Sequence, residues 1–384
     1  MSTSATLERR FMPMYYRIKQ SIISEISCGK FAPNEKLPSK NDLMRKYNTS
    51  CSPVDQAIAE LVKEGIVYTI QGKGIFVADR QAEETCSPRR KTVRGSTLGK
   101  RIALIFTDNL NEFYSGILNG ILSVTQPNGG VLEVSNSRDD YALQNKILRQ
   151  YNAGNIDAVM FIPTFYYNKY NHLYNLQRSG VPVVLIDRDL RSYNFDCVMS
   201  DNFNGTREAI RYLLDRGHRQ IVCMGLGRGT TIGSSIEDRY RGFRAAFTER
   251  GLPVDESLMI NPIGSPTTAQ REGYKQTKKL LASRKYFSAM FFSGESLLLG
   301  AYRALKEAGK RVPHDISLIG FDDCQTAEHF EVPLTMVRQD TYAMGRFAAE
   351  RLFALLSGAD RPGKKTLIPT KLIVRESVRD MTRS

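Results

Sequence analysis

The sequence predicts an α/β protein in two parts, a small helical unit ending in a β-hairpin and a larger portion built on parallel sheet. Three observations carry that prediction. Apolar residues recur at helical spacing through the first part and end in two short β runs around a glycine turn. A polar stretch without period follows, at 79–99. From Lys100 onward, compact apolar runs alternate with amphipathic segments, the pattern of parallel strands covered on both faces.

Residues 14–78 make the small unit. In MYYRIKQSIISEISCGKF, Tyr15, Ile18, Ile22, Ile23 and Ile26 share one helical face, and Gly29 is placed to end the helix. LPSKNDLMRKYNT reads as a short second helix after Pro38-Ser39, with Leu43 and Met44 inward. SCSPVDQAIAELVKEG reads as a third, with Ser52 as its cap, Pro53 in the first turn, Asp55 three residues beyond the cap and Gly65 at its end. IVYTIQGKGIFVA then gives two β runs around a tight turn.

The Gly72-Lys73-Gly74 turn is not a phosphate loop. Such a loop needs G-x-x-x-x-G-K-[ST] running into a helix, and here a strand follows. The glycines instead supply positive φ angles, and Lys73 projects from the tip. Three helices and a basic-tipped hairpin make a winged helix-turn-helix. Its third helix is expected in a major groove, and its hairpin on the backbone or in the neighbouring minor groove.

Composition agrees with such a partner. The formal net charge is +14, an excess that suits a polyanion. From Thr85 to Arg101 there are six basic residues and no acid, which reads either as a solvated tether or as a tether lying along phosphates. The six cysteines form no C-x-x-C pair, and with four scattered histidines they offer no metal spacing; they read as free thiols in a reducing compartment. No signal-peptide core and no apolar run of about 18 residues is present, so a cytoplasmic protein with no membrane partner is expected. No cofactor motif stands up. GLGRG at 225–229 lacks the dinucleotide fingerprint because Thr230 occupies the third glycine site, there is no G-x-S-x-G elbow, and His218 has no nucleophile in view. The chain is expected not to be an enzyme.

In the larger part, the apolar runs are RIALIF (101–106), VLEVS (131–135), DAVMFI (157–162), VPVVLI (181–186), QIVCMG (220–225), SAMFFS (288–293) and ISLIGF (316–321). Over so many residues they imply two subdomains rather than one.

The first unit resembles the GntR-type winged-helix domain, through its KLPS segment, the L-x-x-E-G before the hairpin and the QGKGIFV wing. The resemblance implies DNA contacts from Ser39, Lys40, Asn41, Ser50, Cys51, Ser52 and Gln56 at the helix starts, and from Gln71, Gly72 and Lys73 in the wing. One stretch departs from it. Cys51 and Asp55 stand where that family carries arginines that reach bases and phosphates. Asp55 is open to three readings: repulsion of phosphate, acceptance from a cytosine amino group, or service to the helix N-terminus.

The larger part looks like the LacI/GalR-type effector domain, built like periplasmic sugar-binding proteins. The segments RGHRQI, VPHDISLIGFDD and VPLT carry the likeness. It implies two Rossmann-like lobes around a cleft, with the chain crossing near Arg188, Gln339 and Pro369. Lobe one would then be about 100–188 and 339–366, and lobe two about 189–338 and 367–384. A GntR-type reader before a LacI-type sensor is similar to the arabinose-repressor group, which implies a homodimeric, sugar-responsive repressor of carbohydrate-utilisation genes. The alternatives are a non-sugar effector, or a small-molecule-binding protein with a weakened DNA reader.

A sugar needs carboxylates, arginines and amides for its hydroxyls and an aromatic ring for its C–H face. By position, Arg239 would donate to ligand oxygens and Asp322 would accept from hydroxyls. Ser235 lies on the same loop, Phe113 and Tyr114 follow the first strand as ligand-facing aromatics, and Gln339 sits at a crossing where it could sense lobe closure. Gly294-Glu295 replaces the Asn-Asp usual in that family, so Glu295 either reshapes the pocket or caps the following helix.

Overall fold

The computed structural model describes residues 14–27, 30–32, 35–63, 66–70, 74–77, 99–107, 111–164, 170–191, 193–225, 233–264, 266–283, 285–359 and 362–382. The chain divides into two compact units, Met1–Gly95 and Ser96–Ser384. Gly29, Gly65, the wing tip Gln71-Gly72-Lys73, the stretch 79–98 and most of the GLGRG segment with Thr230 lie outside the described residues.

In the small unit, helices α1 (Met14–Ser27), α2 (Lys40–Tyr47) and α3 (Cys51–Lys63) precede the antiparallel hairpin of β1 (Val67–Ile70) and β2 (Gly74–Val77). Ile18 and Ile22 of α1, Leu43 of α2, and Val54, Ala57, Ile58 and Leu61 of α3 meet Val67, Ile75 and Val77 of the hairpin in one core. Tyr15, Ile23, Ile26 and Met44 pack at its margin. The spacing of 54, 57, 58 and 61 puts one stripe of α3 inward and leaves the opposite face to solvent. In the hairpin Ile70 pairs with Gly74, whose φ of 124° is open to glycine. Residues 35–37 add a third edge: the Leu37 N–H donates to Ile75 O at 2.8 Å, and the Val77 N–H to Glu35 O at 2.9 Å.

The larger unit holds two six-stranded sheets. The first has the order β13-β7-β6-β5-β3-β4, all parallel, from β3 (Arg101–Phe106), β4 (Val131–Asn136), β5 (Ala158–Phe161), β6 (Val183–Ile186), β7 (Asp196–Ser200) and β13 (Lys365–Ile368). Alternate residues of its strands serve opposite faces. Ala103, Ile105, Val159 and Phe161 pack under α5 (Tyr141–Leu148) and α6 (Asn171–Arg178). Ile102, Leu104, Ala158 and Met160 pack under α4 (Glu112–Thr125) and α11 (Thr341–Leu356).

The second sheet has the order β14-β12-β11-β10-β8-β9, from β8 (Ile221–Met224), β9 (Met259–Ile260), β10 (Ala289–Phe292), β11 (Ser317–Phe321), β12 (Thr335–Gln339) and β14 (Thr370–Ile373), which alone runs antiparallel. Helices α7 (Asn202–Asp215) and α8 (Ser234–Glu249) cover one face; α9 (Ala269–Ala282) and α10 (Glu295–Glu307) cover the other.

The chain therefore crosses between sheets after Ser200, after Gln339 and at Pro369. The first crossing lies later than the expected Arg188, because β7 joins the first sheet beside β6. Its segment FDCVMS hid behind a charge. Asp196 is fully buried, and it is balanced there by Arg351 at 2.5 Å and by the backbone N–H groups of Gly363 and Lys364 at 3.1 Å each. No described helix is long and apolar enough to cross a membrane.

Candidate functional site

Two candidate sites emerge, one in each unit. In the small unit, Ser39 caps α2. Its hydroxyl accepts from the Asp42 N–H at 3.3 Å while the Asp42 carboxylate accepts from the Ser39 N–H at 3.2 Å, a reciprocal capping box. The helix ends on Asn48, which takes a left-handed φ of 45°, and α3 starts three residues later. Ser39, Lys40, Asn41, Ser50, Cys51, Ser52 and Gln56 are all exposed where α2 and α3 begin. The expected cap at Ser52 is corrected: α3 begins at Cys51, so Ser52 lies inside the first turn.

Asp55 has partners within the small unit that none of its three readings named. Its carboxylate pairs with Lys40 Nζ at 2.5 Å and accepts from the Cys51 thiol at 3.1 Å. The Lys40 contact, followed by the thiol, holds the carboxyl below its usual range. A cation that could meet phosphate is thus neutralised from the neighbouring helix.

In the larger unit, a cleft of about 830 Å³ opens where the two sheets present their strand ends. Ligands in open parallel sheets gather outside the carboxyl ends of strands. Asp187 and Arg188 follow β6, Ser293 to Glu295 follow β10, Asp322 to Gln325 follow β11, and Gln339 ends β12. All seven residues expected there, Phe113, Tyr114, Ser235, Arg239, Glu295, Asp322 and Gln339, line this cleft.

Arg239, on α8, is 4% exposed. Its Nε donates to Asn202 Oδ1 at 2.8 Å, one terminal nitrogen donates to Ser293 O, and the other reaches Asp322 Oδ1 at 3.5 Å. The guanidinium lies 3.6 Å from the centre of the Phe321 ring. Burial lowers its pKa, and Asp322 and Asp187 work against that loss. Asp322 also accepts from the Gln339 amide N–H. Tyr114 is largely committed to the core: its hydroxyl sits 3.0 Å from that of Thr107, and its ring meets Phe106 edge-on. Phe113 keeps part of its ring exposed. Glu295 is the first residue of α10, after Gly294 at the cap, and its carboxylate accepts from the Cys324 thiol at 2.8 Å. Burial, with Asp322, Glu112 and Asp323 nearby, raises its pKa. The Cys324 thiol is pushed up to about 11 by burial and by Glu295, so it stays protonated.

Sequence reasoning missed Asp187, Arg188, Glu112 and Cys324. Asp187 is 4% exposed and lies 3.2 Å from the Arg188 guanidinium; burial raises its carboxyl pKa. Both Asp187 and Asp322 hold left-handed φ angles, 69° and 73°, a strain that cleft residues tolerate when the surroundings fix them. The available signal was the polar run Asp187-Arg188-Asp189 directly after an apolar parallel strand. Four hydrogen bonds tie the lobes together: Asp189 N–H to Ser234 Oγ at 2.8 Å, Gln325 N–H to Glu112 at 3.1 Å, and Arg191 to Glu237 and Asp238 at 2.8 and 2.7 Å. Carboxylates, guanidiniums and an amide converging around a partly exposed ring can grip adjacent hydroxyls in pairs. Among the described residues no group of side chains could hold a metal ion.

A helix-turn-helix reader and a two-lobed, polar cleft on one chain define a DNA-binding transcriptional regulator with a small-molecule sensor. Residues 14–77 match the profile for bacterial regulatory proteins of the gntR family, and residues 210–378 match that for periplasmic binding protein-like domains. The chain is 29% identical over 374 residues to an arabinose metabolism transcriptional repressor of Halalkalibacterium halodurans, covering 94% of this chain and 96% of that one. It is 30% identical over 283 residues to the HTH-type transcriptional regulator DegA of Bacillus subtilis, covering 73% and 82%. Its fold matches the structure of a transcriptional regulator CelR–cellobiose complex with a TM-score of 0.66, at 24% identity, over 85% of this chain and 90% of that one. The chain is a transcriptional regulator that joins a gntR-type DNA-binding domain to a periplasmic binding protein-like domain.

Proposed function

We propose that the protein represses carbohydrate-utilisation genes, and that a monosaccharide-sized ligand bound between the lobes changes its affinity for DNA. The cleft carries this reading. Arg239 and Asp322 from one lobe face Asp187 and Arg188 from the other, so one polyhydroxylated ligand can be held by both. The arabinose-related name of a relative that aligns over nearly the full chain points the same way. A ligand that bridges the lobes favours one degree of closure and alters DNA affinity only as far as it binds the two states differently.

The protein acts as a homodimer in the cytoplasm, so that two readers meet two half-sites of an imperfect palindrome. Ser39, Lys40, Asn41, Ser50, Ser52 and Gln56 supply the contacts from the helix starts. A thermal-shift screen against pentoses, hexoses and deoxyhexoses tests the sensor. At about 100 Kd of ligand, roughly 2.7 kcal/mol of stabilisation follows from linkage. The reading expects one sugar to raise the transition, to do nothing to Arg239→Ala, and to change retention of operator DNA. A sugar that binds tightly without changing DNA affinity would end the two-state account.

A further inference from the structure

Gly294 leaves an opening in the cleft wall. A Cβ built there would have one neighbour within 4 Å, Asp322 Oδ2 at 3.4 Å. The next residue, Glu295, turns its carboxylate to the same cleft, and among the described residues no lysine or arginine pairs with it. Its donor is the Cys324 thiol at 2.8 Å, a weak one. Asp322, Glu112 and Asp323 all act on it as like charges. Around the whole cleft seven carboxylates face five arginine and lysine side chains.

An independent observation points to a missing donor. Gln339 is 8% exposed and lines the cleft, and its Oε1 is buried without a hydrogen-bond partner. The amide cannot be turned over to repair this, because its nitrogen faces the Asp322 carboxylate, and a flip would set oxygen against oxygen. An orphaned buried acceptor costs stability until something donates to it. The neighbouring cation does not fill the role: Arg239 is occupied by Asn202, Ser293 O and Asp322.

We infer that the effector carries a protonated amine, which docks beside Gly294 between the carboxylates of Glu295 and Asp322; this rests on the cleft being the effector site. An ammonium group has three donors and no acceptor. Glu295 and Asp322 offer carboxylate acceptors in the cleft, and Gln339, which lines it too, adds an Oε1 that lacks a donor. A neutral hydroxyl would give one donor and leave the surplus negative charge in place. The chemical class is an amino sugar or a similar aminated polyol.

The test is calorimetric titration of the full chain with matched triplets, such as glucose, glucosamine and N-acetylglucosamine, and the galactose series. The N-acetyl form keeps the nitrogen and removes the charge. One amine is expected to bind about tenfold or more tighter than its neutral and acetylated partners, as hydrogen bonds to charged groups allow. Glu295→Gln, which keeps size and shape, should abolish that preference while leaving the thermal transition close to that of the parent. Neutral sugars binding as well as amines, or a preference that survives Glu295→Gln, overturns the inference and leaves the effector-site reading standing. No binding by any member overturns the inference, and the effector-site reading is then decided by the wider thermal-shift screen.

Discussion

Replacing Asp55 by Asn should make the reader bind DNA more tightly and with less discrimination. In the native chain Lys40 Nζ lies 2.5 Å from Asp55 Oδ1, so the α2–α3 face presents a neutral pair where a free ammonium would stand. Both side chains are about half exposed, at 52% and 45%, so the pair adds little to stability and the variant should fold. Removing the carboxylate frees one cation for one phosphate. Each neutralised phosphate adds about −0.9 to the slope of log K against log[salt]. Extrapolated to no difference at about 1 M, that slope gives roughly eightfold tighter binding at about 0.1 M salt. The assay is fluorescence anisotropy with a random-sequence duplex between about 50 and 200 mM salt, a range over which one such contact is worth roughly 3.5-fold. An unchanged slope and unchanged non-specific affinity would refute neutralisation as the role of Asp55. Loss confined to one operator, by about 1–3 kcal/mol, would instead show a carboxylate reading a base.

Three further outcomes follow from buried groups. Arg239→Met should lower unfolding free energy in urea by about 3–5 kcal/mol, because it strips Asp322 and Asn202 of a buried charged partner; a loss below 1 kcal/mol would mean the arginine is not structurally paired. His218 is fully buried, and since its Nε2 faces the Arg379 carbonyl at 3.1 Å it must donate there and accept from Ser288 at Nδ1, 2.8 Å away. Burial lowers its pKa below 6.5, so the unfolded chain takes up a proton that the fold refuses. Its contribution is whole above pH 6.5 and is lost as pH falls towards the folded value; His218→Gln should flatten the fall in melting temperature between about pH 7 and 5.5. Gly300→Ala should destabilise by about 1–3 kcal/mol in chemical denaturation, although the same change in an exposed helix stabilises. A Cβ at that site would stand 1.8 Å from Gln270 O across the α9–α10 crossing, and a neutral result would show that these helices can part.

Elements whose pattern is local were legible from the chain alone. Helical spacing in MYYRIKQSIISEIS and AIAELV located α1 and α3, and continuous apolar runs such as VPVVLI and SAMFFS located the central strands, because both kinds of element bury a face that the sequence must supply. Strands that bury charge or lie at sheet edges were not. β7 carries Asp196, whose burial makes sense only with Arg351, 155 residues away, beside it. β13 and β14 are short and half exposed, so their sequences hold no strong period. The third edge of the wing at 35–37 is set by pairing with Ile75 and Val77, which no local signal announces.

The sites divide in the same way. Arg239, Asp322, Gln339 and Glu295 could be placed in the cleft from the chain because the segments that hold them, DRYRGF, GFDD, VRQD and FFSGES, lie where a resembling effector domain lines its cleft. The sequence also determined that Cys51 and Asp55 occupy the start of α3. Only the tertiary structure decided what they do there, since the carboxylate is turned to Lys40 on another helix and the thiol to that carboxylate. It alone placed Asp187 and Arg188 in the cleft, joined Glu112 to Gln325 across the lobes, and left Gln339 Oε1 without a donor. Periodicity records which residues leave water, whereas partnership between charges depends on distances that the chain sets only after it has folded.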